Sequence, residues 1–179
     1  MTARPLSGRA GINGTGGTTS FAEDSIIFAY NTLVQLAMGR VASAVTKLDT
    51  TGMVDGQRAG ITLFGQTYGW IGVVAGGGGM QNIVRANING AYTSGPVLAS
   101  KTVFLRASIN TASQIAFAYS ADGVAFTPLG GSVTVGRTWF EGIKFGLFSY
   151  HLSTASPTAG GQADFDYLHY THDGPRAAP

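Results

Sequence analysis

Thr102-Val103-Phe104-Leu105-Arg106-Ala107-Ser108-Ile109, the connection Asn110-Thr111-Ala112 and the run Ser113 to Ser120 decide the fold. Both arms alternate apolar residues with polar or small ones, the period of a strand with one buried face. The three residues between them are a hairpin-length connection. Working outward, Val41 to Asp49 alternates in the same way. It puts Val41, Ser43, Val45 and Lys47 on one face and Ala42, Ala44, Thr46 and Leu48 on the other. Arg58 to Phe64 and Gln66 to Val74 read as a hairpin around Gly65, and Gln81 to Ile88 follows a four-glycine turn at Gly76 to Gly79. Ile143 to Tyr150 and Gln162 to Tyr170 are the last strands. Thr51-Gly52, Asp55-Gly56 and Asp122-Gly123 are turn signals. The one segment apolar enough for a helical turn is Ser25 to Met38, ahead of a strand at Asn31. About ten strands, with turn signals roughly every 8–12 residues, predict an all-β sandwich of two antiparallel sheets.

Composition agrees. The 179 residues hold 44% apolar and 11% charged residues, with 27 glycines. A disordered chain is poor in apolar residues and rich in charge, and a helical bundle needs charged helix faces, so both are excluded. Net charge is +2 without a Lys/Arg cluster, which removes the footprint of a nucleic-acid binder. There is no cysteine, hence no disulfide framework or thiolate site. No run of 18 apolar residues is present, so no helix to cross a membrane is expected. Met1 to Ser20 is rich in Gly and Thr and lacks the apolar centre of a secretory leader. The compartment is left open: either the chain is cytosolic, or it starts after processing, which favours an extracellular place, or inside a longer chain. The domain reading is an irregular Gly-rich segment over 1–25 with one strand read near Leu6, a sandwich over 26–171 and a frayed tail over 172–179.

Candidate chemistry is sparse. His151, His169 and His172 lack metal-ligand spacing and read as surface histidines. The glycine runs at Gly14 to Gly17 and Gly76 to Gly79 lack the Lys-Ser/Thr of a phosphate loop. Among nine acids, Asp164 and Asp166 share one face of the last strand, with Phe165 and Tyr167 on the other. The pair offers an acid and base for glycoside hydrolysis, or ligands for a structural calcium. Glu141 sits beside Trp139 and Phe140 and is the other candidate acid. Aromatic rings are the natural seat for the apolar faces of sugars. Tyr68 and Trp70 share a strand face, and Arg58, Gln66 and Arg106 are the polar residues placed to serve sugar hydroxyls.

Further stretches carry a family resemblance. They include Lys47-Leu48-Asp49-Thr50-Thr51-Gly52-Met53, Asp55-Gly56-Gln57-Arg58-Ala59-Gly60, Tyr68-Gly69-Trp70-Ile71-Gly72-Val73, Phe117-Ala118-Tyr119-Ser120-Ala121-Asp122-Gly123 and Gly160-Gly161-Gln162-Ala163-Asp164-Phe165-Asp166-Tyr167. In this order, across roughly residues 30–170, the chain resembles the C-terminal module of family 43 glycoside hydrolases, the β-xylosidases and α-L-arabinofuranosidases. The resemblance implies a concanavalin A-like jelly-roll β-sandwich. It also implies kinship with carbohydrate-binding module family 91, whose association is with xylan. In that family the catalytic acids lie on a preceding five-bladed propeller, which nothing here matches. A sandwich loop carries an aromatic that helps close the propeller's pocket, and the matching stretch assigns that role to Trp139 and Phe140. The family's Trp-rich strand ahead of the segment like Thr2-Ala3-Arg4-Pro5 is absent.

The expectation is a non-catalytic accessory module that binds xylan or a related polysaccharide or oligosaccharide, attached to a catalytic propeller. Nucleic acid and membrane are not expected partners, and no cofactor is required. The alternative is a stand-alone glycoside hydrolase using Glu141 or Asp164/Asp166. A third reading is a structural module that acts only when docked.

Overall fold

The computed structural model describes residues 6–13, 25–26, 32–76, 81–88, 90–136, 142–152 and 161–174. In these, thirteen strands form two antiparallel sheets. The first sheet contains β1 (Leu6–Asn13), β3 (Ala42–Asp49), β8 (Thr102–Ile109), β9 (Gln114–Ser120), β10 (Thr127–Pro128), β11 (Val133–Thr134) and β13 (Gln162–His172). Its order is β1-β13-β3-β8-β9-β10, with β11 also on β9. The second contains β2 (Thr32–Leu36), β4 (Gln57–Phe64), β5 (Tyr68–Gly76), β6 (Gln81–Ile88), β7 (Ala91–Val97) and β12 (Lys144–His151), in the order β2-β12-β4-β5-β6-β7.

The alternation in the sequence sets the core. Ala42, Ala44 and Leu48 on β3, Val103, Leu105 and Ala107 on β8, and Ile115 and Phe117 on β9 point inward from the first sheet. Ile61, Leu63, Ile71, Val73, Phe145 and Leu147 meet them from the second. These side chains are essentially dry, and each of the larger ones is worth about 1.5–3 kcal/mol on full burial. The β8–β9 hairpin closes through Asn110, whose side-chain oxygen accepts the amides of Ala112 and Gln114.

The two sheets differ on their outer faces. β3 and β8 alternate strictly between buried and half-buried residues. β4, β5 and β12 are buried on nearly every residue, so both sides of the second sheet are covered. Its outer side carries a second apolar cluster of Ile26, Trp70, Val74, Phe148 and Tyr150, with Phe64 and Tyr68 against it. Gly60 and Gly72 pair across β4 and β5 on that side. A Cβ on Gly60 would collide with the Ile71 carbonyl oxygen, so only glycine permits this backbone approach.

Several expectations change. The segment 1–25 does not stand apart from the sandwich: the strand read near Leu6 is β1, which runs from Leu6 to Asn13 and pairs with β13. The helical turn expected ahead of the strand at Asn31 is 3₁₀ at Ile26 and otherwise falls on 27–31, outside the described residues; β2 follows and forms the edge of the second sheet. β13 continues to His172, and the next residue is anchored, because the Asp173 carboxylate accepts the amides of Arg40 and Val41. β7 went unread because Gly95-Pro96 interrupts a run of mostly exposed residues that never alternates. The four-glycine turn enters β5 at Gly76 and otherwise lies outside the described residues.

The last strand departs from simple alternation. Phe165 pairs with Leu48 and Leu168 with Thr46, so three steps on β13 oppose two on β3. This β-bulge shifts the phase of the strand. Phe165 is buried, Leu168 and Tyr170 also pack on the core, and Tyr167 is released to the outer face with Asp166. The expectation that Phe165 and Tyr167 point the same way is corrected here.

Candidate functional site

The outer face of the first sheet gathers most of the described polar chemistry. Lys47 on β3 reaches Asp166 on β13 at 2.6 Å, with both side chains about one-third exposed. The hydrogen bond and the negative charge of Asp166 raise the Lys47 pKa above 10.5. Next to this pair the rings of Tyr167 and His169 are stacked, 4.0 Å apart and 21° from parallel. Partial burial raises the Tyr167 phenol, which the Lys47 charge opposes. Tyr167 and His169 are two residues apart and share a face; the bulge turns that face outward, where unbroken alternation from Phe165 would send both inward.

Crossing the sheet, His169 pairs with Val45, Val45 with Arg106 and Arg106 with Ala118. The Arg106 guanidinium lies 4.4 Å from the centre of the Phe126 ring, a cation–π contact that fixes its direction. At the end of β9, the Asp122 carboxylate accepts the amides of Val124 and Ala125 and the Ser120 hydroxyl. These bonds lower its pKa to about 2.

The opposite outer face is closed. Trp70 is 0% exposed, packed edge-on against Phe148 at 5.4 Å and Tyr92 at 6.3 Å. Ile26 lies over the cluster, itself buried, and the Ser25 hydroxyl meets the Tyr68 hydroxyl at 3.4 Å. The Trp70 indole N–H is buried without a hydrogen-bond partner. Arg58 is also buried, donating to the Gly56 carbonyl at 2.7 Å.

The sugar-binding set expected from the sequence therefore does not converge. Trp70 and Arg58 are beneath the covered face and cannot stack on or bond to a ligand there. Tyr68 is half-buried on the same cluster. Gln66 is exposed in the β4–β5 turn. Arg106 stands on the other sheet. Trp139, Phe140 and Glu141 lie outside the described residues.

Asp164 and Asp166 do share the outer face, but each is engaged: Gln162 Nε2 donates to Asp164 at 2.6 Å, and Lys47 holds Asp166. Asp49 accepts the Thr51 amide and hydroxyl. Among the described residues no group of three or more His, Asp or Glu is placed to hold a metal. His151 is not on the surface: it is buried, with Nε2 at 3.0 Å from the Asp55 carbonyl oxygen. His172 is half-buried and stacks on Tyr170 at 5.1 Å. The residues that reading from sequence missed are Lys47, Tyr167 and His169. Their signal was one face of β3 and the C-terminal half of β13, hidden by the bulge.

A third surface is apolar. β2 is an edge strand, and Leu33, Val34 and Leu36 are 55%, 48% and 49% exposed. Met38 and Val41 extend the patch, and a pocket of about 270 Å³ lies beside it, lined by Leu36, Arg40, Ile109 and Gly142 among others. An exposed apolar edge is a site for association.

Residues 16–171 match the β-xylosidase C-terminal concanavalin A-like domain of family 43 glycoside hydrolases. The chain belongs to this family. The module is 32% identical over 151 residues to a β-xylosidase of Formosa agariphila, covering 84% of this chain and 25% of that protein. Among solved structures it is similar to a bifunctional family 43 enzyme of Bacteroides eggerthii, with TM-score 0.71 and 30% identity over 86% of this chain and 20% of the other. A family 43 enzyme engineered to display endo-xylanase and exo-arabinofuranosidase activity gives TM-score 0.74 at 25% identity, over 86% of this chain and 33% of the other. The chain thus spans a third or less of these relatives. Its sandwich corresponds to the C-terminal domain of such enzymes.

Proposed function

We propose that this chain is a non-catalytic accessory module that docks on a glycosidase propeller and binds xylan or a related plant cell-wall glycan. The observation that carries the reading is the family match over residues 16–171, within relatives named for xylan chemistry. The carboxylates support its non-catalytic side. Hydrolysis of a glycoside needs two facing carboxyl groups about 5–10 Å apart, one to deliver a proton and one to attack or activate water. Asp164 and Asp166 point outward from one strand, and Asp166 is neutralised by Lys47. The apolar β2 edge and its adjoining pocket supply the surface for the propeller. Gly142 in that pocket directly follows the stretch that the family resemblance ties to closing the propeller's active site.

No structural calcium is needed in this reading. The Lys47 ammonium occupies the position a cation would take beside Asp166, so a melt with chelator is expected to match one without. Affinity electrophoresis in soluble arabinoxylan tests binding: the module is expected to be retarded there and not in dextran. Equal mobility in every β-glycan gel overturns the binding reading. Release of nitrophenol from an aryl xyloside or arabinofuranoside by the purified chain, abolished by Glu141→Gln or Asp164→Asn, would establish the hydrolase instead.

A further inference from the structure

We propose that the open outer face of the seven-stranded sheet is the glycan site, with Tyr167 and His169 as its stacking element and Lys47, Asp166 and Arg106 as its polar partners. The ligand is a xylan-type chain lying across the strands. The proposal rests on the binding reading above and gives it a location.

The bulge in β13 is the leading observation. Regular alternation would bury Tyr167 beside Phe165, where its ring would add to the core. Instead the strand breaks its ladder with β3 and puts a large ring on the solvent side. Bulges re-aim side chains at a cost in strand pairing, and this one seats Leu168 and Tyr170 on the core while it leaves Tyr167 and His169 outside. Once outside, the ring is held: stacking on His169 at 4.0 Å fixes its orientation before a ligand arrives. Preorganised rings bind with a smaller loss of side-chain freedom.

Charge placement is the second observation. Only 11% of the chain is charged. Yet this one face carries Lys47, Asp49, Asp164, Asp166 and Arg106. A sugar presents apolar C–H faces and pairs of hydroxyls that both donate and accept. The Tyr167–His169 rings suit the former, and beside them the Lys47 ammonium, with two donors beyond the one given to Asp166, and the Asp166 carboxylate suit the latter. Arg106 stands two strands from His169, about 10 Å away at ordinary strand spacing. Its guanidinium is steadied by Phe126. Ala116 and Ala118 keep β9 low next to it. A stacking element and a fork of donors separated along a shallow surface suit a polymer chain. An enclosed small molecule would need a concave pocket instead. The other sheet has the larger rings, but Ile26 lies over them and Trp70 is wholly buried.

The test is affinity electrophoresis of the full chain in soluble arabinoxylan, with Tyr167→Ala, His169→Ala and Tyr92→Ala as variants and circular-dichroism melts to confirm folding. Tyr167→Ala is expected to weaken retardation about tenfold, the loss of one aromatic stacking contact. His169→Ala should fall in the same direction, and Tyr92→Ala, on the second sheet, should run like the unsubstituted chain. A folded Tyr167→Ala that is retarded like the unsubstituted chain overturns the site while leaving glycan binding standing. Loss of binding in Tyr92→Ala with Tyr167→Ala unaffected moves the site to the opposite sheet and overturns it as well. No retardation of the unsubstituted chain removes both the binding reading and its location.

Discussion

The two outer faces of this sandwich are made from the same kind of alternating strand and end in opposite states. On the seven-stranded sheet, the outward residues of β3 and β8 remain half-exposed, and charge and stacked rings collect there. On the six-stranded sheet, Trp70, Phe148 and Tyr150 face outward and are dry, because Ile26 lies over them. Large rings on an outward face are therefore no sign of a binding surface. Whether other chain covers them decides whether they stabilise the fold or are available to a ligand.

Substitutions can break this contrast. Trp70→Ala should be the most damaging, at about 3–5 kcal/mol for a large side chain removed from a packed site. That is a sizeable share of an ordinary domain's stability. A denaturant melt showing a loss below 1 kcal/mol would mean the covered face is not a core. Ile26→Ala should cost about 2 kcal/mol, at the low end for a buried aliphatic, and uncover Trp70. The chain has two tryptophans, so in a Trp139→Phe background acrylamide should quench Trp70 more strongly after Ile26→Ala. Unchanged quenching would show that Ile26 is not what seals the cluster.

Effects on the open face should be smaller. Lys47→Met is expected to cost about 0.5 kcal/mol and less in high salt, as for partly exposed pairs. Because Asp166 raises the Lys47 pKa, this contribution is complete below 10.5 and is lost only as pH climbs through the raised value. A loss as large as that of Ile26→Ala would mean the pair is shielded and the two faces are alike. The smallest effect concerns Asp122, with its pKa lowered to about 2 from 3.8. The turn after β9 gains stability from it above 3.8 and loses that as pH falls through about 2. Carbon chemical shifts of Asp122 in an acid titration should show the lowered midpoint, and a midpoint near 3.8 would mean the turn hydrogen bonds do not form.

Period-two patterning made the inner faces legible, down to the Ala42, Ala44, Thr46 and Leu48 side of β3 and the hairpin at Asn110. It also placed Tyr68 with Trp70. Sheet membership was not legible. Arg106 and Trp70 sit on different sheets because strand order is set by pairings distant in sequence. Covering was equally hidden, since nothing local to Trp70 announces Ile26. The facing of Tyr167 was misread for a third reason: a bulge adds a residue without any Gly or Pro at the site to mark it. Lys47 and His169 went unweighed as binding residues because their company is supplied by neighbouring strands.

The strand order has a consequence for how the chain assembles. β13 is inserted between β1 and β3, and β12 between β2 and β4. A ribosome can release the β3–β8–β9 strands and the β4-to-β7 meander well before residues 144–172 exist. Until then β1 and β2 have no partners, and β3 and β4 offer bare edges that become interior only at the last step. Folding should thus wait until residues 144–172 have been made and run on the slow timescale of distant strand pairing. A polypeptide truncated before Lys144 would hold two open edges, and self-association would compete with any folding it achieves.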